Sequence, residues 1–134
     1  QSLGCNKIAL GHHFDDVVET ILMSLIFNGE FKTMMPKLKS TNFENMELIR
    51  PLYFVREEEI KRFCRYNDLH FIDCACKVTK KSLGMRREMK NLVKELNKYY
   101  PGADKNLMNA TYNVNLNTII SYIERKDEED VKRQ

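Results

Sequence analysis

The chain has 134 residues, which suits one compact domain, and an apolar content of 43% supports a core and excludes wholesale disorder. A formal net charge of +3 is too small by itself to argue for nucleic acid. No run approaches the roughly 20 consecutive apolar residues of a membrane helix. No charged-then-apolar opening leads to a small-residue cleavage site either, so neither a membrane span nor a secretory signal is expected.

In chain order, residues 7–10 (KIAL) form a short apolar run before Gly11 and predict a buried strand followed by a turn. A helix begins near Asp15, with Val18, Ile21, Leu22, Leu25 and Ile26 on one face, and Asn28-Gly29 stops it. Asp15 and Asp16 stand at its start, where the helix dipole favours negative charge. Residues 30–45 are polar, contain Pro36 and predict a long loop. Residues 46–50 (MELIR) predict a strand that Pro51 ends, and residues 56–66 a helix with Glu57, Glu58 and Glu59 in its first turn. Residues 70–74 (HFIDC) predict another short strand. Met85, Met89, Leu92, Val93 and Leu96 mark a further amphipathic helix, terminated by Pro101-Gly102. Residues 104–113 and 117–124 predict a final helix pair, and the charged residues 125–134 a frayed tail.

Strands alternating with helices predict an α/β fold with a parallel sheet. The division expected is 1–76 for the α/β portion, 77–124 for a helical segment packed on it, and 125–134 for the tail. Few strands are visible, and the first starts almost at Gln1, which is not a Met. Parallel sheets need helices on both faces and usually more strands, so the upstream part of the domain is expected to be absent from this chain.

The segment richest in chemistry is GHHFDDVVET, residues 11–20, at the predicted C-terminal end of a strand. In open α/β sheets, ligands bind in the crevice outside the strand C-termini. Two imidazoles and two carboxylates there are costly to bury unless paired or bound. Asp15 and Asp16 suit Mg²⁺ that bridges phosphates, and His12 and His13 suit hydrogen bonding or proton transfer. The plainer reading is that one aspartate caps the helix and the histidines are turn residues.

Between residues 77 and 90, Lys77, Lys80, Lys81, Arg86, Arg87 and Lys90 stand against a single acid, Glu88. Such a stretch either attracts phosphates or is a solvated helix face. The cysteines are Cys5, Cys64, Cys74 and Cys76. With no secretory signal, a cytoplasmic, reducing compartment is expected. The one-residue spacing of Cys74 and Cys76 strains disulfide geometry, so thiolate chemistry or metal ligation is the better expectation.

The run KIALGHHFDDVVETILMSLIFNGEFKTMMPKL, followed by ELIRPL and VREEEI, resembles the PP-loop ATPases that thiolate tRNA, most closely the 2-thiocytidine synthetase type. The resemblance continues through FIDCAC, RREMKNLVKEL and YPG…NATYNVNLNTI, residues 3–122 in all.

That resemblance implies an incomplete Rossmann-like adenine-nucleotide hydrolase domain followed by a C-terminal helical segment. It implies ATP-dependent adenylation of a cytidine C2 oxygen in the tRNA anticodon loop, then displacement of AMP by sulfur. The family's Ser-Gly-Gly-x-Asp-Ser phosphate loop and its C-x-x-C pair, normally upstream, do not occur here. Asp15, Asp16 and His12 are the implied catalytic residues, and His13, Arg50 and Lys37 the implied nucleotide contacts. Cys74, with Cys76 as its alternate or neighbour, is the implied ligand of a [4Fe-4S] cluster. Lys80, Lys81, Arg86, Arg87 and Lys90 would meet the tRNA backbone, where charge gives affinity without sequence reading. Cofactors implied are ATP, Mg²⁺ and the cluster. Partners implied are tRNA and a sulfur donor protein or sulfide, with a homodimer left open and no membrane. Two other classes remain beside this one: a lysidine-synthetase-like ATPase, and a truncated RNA-binding module without catalysis.

Overall fold

The computed structural model describes residues 4–71 and 80–122, with side chains in the second span described from Gly84 onward. The element order is β1 (Lys7–Ala9), α1 (Phe14–Asn28), β2 (Lys37–Lys39), β3 (Glu47–Ile49), α2 (Glu57–Tyr66), α3 (Lys80–Tyr99) and α4 (Ala103–Ala110). Among the described residues the sheet has the order β1-β3-β2. β1 and β3 run parallel, with Ile8 opposite Leu48, and α1 makes the crossover between them.

The fold is α/β, as the alternation predicts, but its sheet is mixed. β2 lies inside the predicted 30–45 loop and pairs antiparallel to β3, with Leu38 opposite Leu48. The link from β2 to β3 spans only residues 40–46, too short for a parallel crossover, so the chain must reverse. Ser40 Oγ accepts the backbone N–H groups of Asn42 and Phe43, and Asn45 takes φ 57° to complete the turn. Three residues of Lys-Leu-Lys beside Pro36 carry too little periodicity to announce a strand.

α1 starts with a cap in which the His13 backbone N–H donates to Asp16 Oδ2 at 3.0 Å. It ends at Gly29, whose φ of 62° is the left-handed conformation glycine adopts without a Cβ penalty, and Glu30 N–H donates to the Ser24 carbonyl. Phe14, Val17, Val18 and Ile21, spaced three and four apart, form the buried stripe. Tyr53 and Met108 complete that core, with Met34, Val93 and Leu107 against it. Burying Ile21 fully is worth about 1.5–3 kcal/mol, so an Asp there would break the helix packing. The predicted face runs too far: Leu25 and Ile26 are exposed, because α3 and α4 pack on the earlier turns of α1.

α2 and α3 follow their predicted patterns. Gly102 (φ 90°) separates α3 from α4, and Asn97 of α3 accepts the Asp104 backbone N–H at 3.2 Å. Two expectations fail or fall elsewhere. Residues 117–120 form turns and bends and 121–122 are irregular instead of helical, with Asn115 Oδ1 accepting the Asn117 backbone N–H as a local turn bond. Of the predicted 70–74 strand, His70 and Phe71 are irregular, and the rest lies outside the described residues. No helix among the described residues is long and apolar enough to cross a membrane.

Candidate active-site crevice

The parallel pairing of β1 and β3 brings both strand C-termini to one edge, where Leu10 N–H donates to the Ile49 carbonyl at 2.9 Å. His12 and His13 leave β1 there and Arg50 leaves β3, so residues about 38 apart in sequence meet because the crossover places them together. Burial, and after it the charge of Arg50, holds His12 below its ordinary pKa of 6.5, so its imidazole is neutral at pH 7. His12 Nδ1, His13 Nδ1 and Arg50 Nε are buried without a hydrogen-bond partner among the described residues. Each such orphan costs on the order of 1–3 kcal/mol if it stays unsatisfied. Their convergence at the strand C-termini fits a polar, anionic ligand such as a nucleotide.

Arg50 is also anchored. Its Nη1 donates to the Met35 carbonyl and its backbone N–H to the Pro36 carbonyl at 2.9 Å. Tyr53 Oη donates to the Met34 carbonyl at 2.8 Å. The Met34–Pro36 segment is thus tied to Arg50 and Tyr53 beyond the end of β3.

The aspartates are committed to the scaffold. Asp16 Oδ2 caps its own helix, and its Oδ1 lies 3.6 Å from Arg86 Nη1. Asp15 Oδ2 accepts the backbone N–H of Glu57 at 2.8 Å and so caps α2. The sequence admits one capping aspartate; the structure has two. Among the described residues no three His, Cys, Asp or Glu side chains group to hold a metal ion, so these aspartates do not fit a Mg²⁺ site by themselves.

Lys37 sits on β2 with its Nζ 2.9 Å from Glu47 Oε1, as a cross-strand ion pair. Arg86 and Lys90 turn toward carboxylates: Arg86 Nη1 is 4.0 Å from Glu19 Oε2, and Lys90 Nζ hydrogen-bonds Glu57 Oε2. Arg87 is exposed. Lys80 and Lys81 open α3, their side chains outside the described set, and Cys74 and Cys76 lie outside the described residues. Cys5 is exposed, and Cys64 is half-buried on α2, which has no fully buried residue.

Glu19 is the group that residue-by-residue reading passed over. It lies within GHHFDDVVET, four residues beyond Asp15, hence on the same helix face. It is buried, and burial, reinforced by the negative charge of Asp16, pushes its carboxyl up to about 7. With Glu57, Lys61, Lys90 and Asn97 it lines a charged cleft of about 310 Å³ between α1, α2 and α3. Beside it Arg56 Nη1 meets Asp104 Oδ2 at 2.6 Å, and the Arg56 guanidinium lies 4.7 Å from the centre of the Phe14 ring. Burial would raise the Asp104 carboxyl, yet the Arg56 hydrogen bond holds it below its ordinary value.

Residues 1–93 match the sequence model of the PP-loop domain. The chain belongs to the PP-loop family. Over 114 residues it is 45% identical to the tRNA-cytidine(32) 2-sulfurtransferase of Geobacter sulfurreducens, covering 85% of this chain and 44% of that protein. It is 40% identical to the protein of the same name from Burkholderia multivorans, covering 84% of this chain and 33% of the relative. The PP-loop chain thus spans less than half the length of these curated relatives. Among solved structures it is similar to the U34-tRNA thiolase NcsA from Methanococcus maripaludis with its [4Fe-4S] cluster. The TM-score is 0.65 at 22% identity, covering 92% of this chain and 40% of that one, a likeness of fold.

Proposed function

We propose that this chain is a nucleotide-facing part of an ATP-dependent tRNA thiolase acting on an anticodon-loop cytidine. The cytidine C2 oxygen attacks the α-phosphorus of ATP and pyrophosphate leaves. Sulfur then attacks C2 and AMP leaves, taking the oxygen with it. The carbonyl oxygen leaves poorly until adenylated, so the chemistry needs positioning and charge stabilisation above all.

The observation that carries this reading is the convergence of orphaned His12, His13 and Arg50 atoms at the strand C-termini of a PP-loop chain. Neutral His12 would donate a hydrogen bond to a nucleotide oxygen, the His13 ring would line the same crevice, and Arg50 would add charge there. Asp16 and Asp15 act as positioning residues: one fixes the His13 backbone, the other ties α2 to the same helix start. Lys37 steadies the β2–β3 hairpin from which Arg50 departs. Mg²⁺ would then take its protein ligands from residues outside those described.

Cys74, with Cys76 beside it, is the proposed thiolate ligand of a [4Fe-4S] cluster, which would supply the site where sulfur is carried. The [4Fe-4S] cluster of the similar U34-tRNA thiolase supports the presence of a cluster, and the choice of Cys74 and Cys76 follows from the FIDCAC resemblance. Arg87, Lys80 and Lys81 are proposed to meet tRNA phosphates, with a sulfur donor protein or sulfide as second substrate and the cytoplasm as compartment.

Nucleoside mass spectrometry of tRNA from cells with and without the encoding gene tests the reading. Loss of 2-thiocytidine on deletion is expected, with no rescue by His12→Ala or Cys74→Ala. Loss of lysidine instead would select the other PP-loop chemistry, and unchanged nucleosides would leave an RNA-binding module.

A further inference from the structure

The basic stretch that sequence marks for RNA is partly consumed inside the fold, since Arg86 and Lys90 face Asp16, Glu19 and Glu57. Exposed cations and aromatic rings also gather further along, where α3 turns into α4. Tyr99 and Tyr100 are 70% and 69% exposed, far more than apolar packing would leave them. They border an open apolar groove of about 720 Å³ with Leu96, Ala103, Asn106 and Leu107. Lys98 Nζ lies 5.6 Å from the centre of the Tyr99 ring, and Lys105 is exposed on the first turn of α4.

We propose that this α3–α4 groove is a stacking platform for unpaired bases of the substrate RNA, with Tyr99 and Tyr100 as the stacking rings. The inference rests on the tRNA-modifying reading above. Unpaired RNA bases are bound by aromatic faces beside cations that meet the flanking phosphates. Both parts are present here: two adjacent rings at one helix end, and lysines on each helix bordering the groove. The Asn106 side-chain amide, exposed on α4, can donate to and accept from a base edge. A duplex would need the lysines alone and would leave the apolar walls unused, so a single-stranded loop is the occupant that matches.

Fluorescence anisotropy with an anticodon stem-loop RNA at fixed low salt tests this. The double variant Tyr99→Ala/Tyr100→Ala is expected to weaken binding by roughly 5- to 100-fold. Tyr99→Phe/Tyr100→Phe should restore it, and Tyr99→Leu/Tyr100→Leu should not, because leucine fills the groove without a ring. Binding of the same stem as a fully paired duplex should change by less than about twofold, since phosphate contacts carry it. Unchanged melting temperatures confirm that the fold survives. If the alanine variant binds the stem-loop like the parent, the platform is wrong and the tRNA reading stands. If leucine serves as well as phenylalanine, the groove is an apolar protein-binding surface. If the parent chain binds no stem-loop at all, the tRNA reading falls and this inference with it.

Discussion

Asp15 Oδ2 accepts the backbone N–H of Glu57 at 2.8 Å, so a side chain in the first turn of α1 caps α2. Replacing Asp15 with Ala leaves that N–H without its acceptor. Urea denaturation should show a loss of about 1 kcal/mol, with Asp15→Asn losing less. An Asp15→Ala protein of parental stability but no thiolation would instead make Asp15 catalytic.

Arg86 and Arg87 are neighbours with different partners. Arg86 faces Asp16 and Glu19, whereas Arg87 is exposed. Arg87→Gln should reduce the slope of log affinity against log salt for RNA by about 1, the signature of one lost phosphate contact. Arg86→Gln should leave that slope in place and lower stability by up to about 1 kcal/mol. Equal slope changes for both would show that Arg86 leaves its carboxylates to reach RNA.

Glu19 has its carboxyl pushed up from 4.5 to about 7, chiefly by burial. The folded state therefore holds this proton more tightly than the unfolded chain. The stability Glu19 contributes is full below about pH 4.5 and is lost as pH rises to about 7. Glu19→Gln removes that loss and should make the protein more stable than the parent at pH 8 by about 3 kcal/mol. Parallel stability–pH curves for parent and variant would refute the assignment.

Arg56 and Asp104 form the opposite case. The Asp104 carboxyl lies below its ordinary 3.8, so its contribution is present above that pH and vanishes as pH falls through the lower folded value. Arg56→Met strands a buried carboxylate and uncovers Phe14, at a cost of about 2 kcal/mol, moderated by the partial exposure of Arg56. Asp104→Asn in the same background should recover part of it, a coupling that a double-mutant cycle reads directly.

Local spacing carries much of this architecture. Val18 and Ile21 of the buried stripe, Gly29 beyond the last turn, the acids opening α2 and Pro101-Gly102 after α3 are each visible within a few residues. They mark helix starts, faces and stops because helix period and cap chemistry are short-range properties. GHHFDD at a strand end likewise locates the crevice, since strand C-termini are where open sheets bind ligands.

What the side chains there do is a different matter, decided by partners far along the chain. Asp15 meets Glu57, Lys90 meets Glu57, and Arg56 meets Asp104, pairs separated by 42, 33 and 48 residues. Periodicity cannot foresee such meetings, and they give residues with the marks of catalysis or RNA binding partners as caps and ion pairs. The same holds for β2, whose three residues become a strand only because β3 offers an edge within reach of a short turn. Sequence alone determined α1 to α4, the family and the candidate place of the crevice, because those are set by local periodicity and contiguous motif. Tertiary structure alone decided which charges are spent inside the fold and which face outward, because charge pairing depends on distance in space.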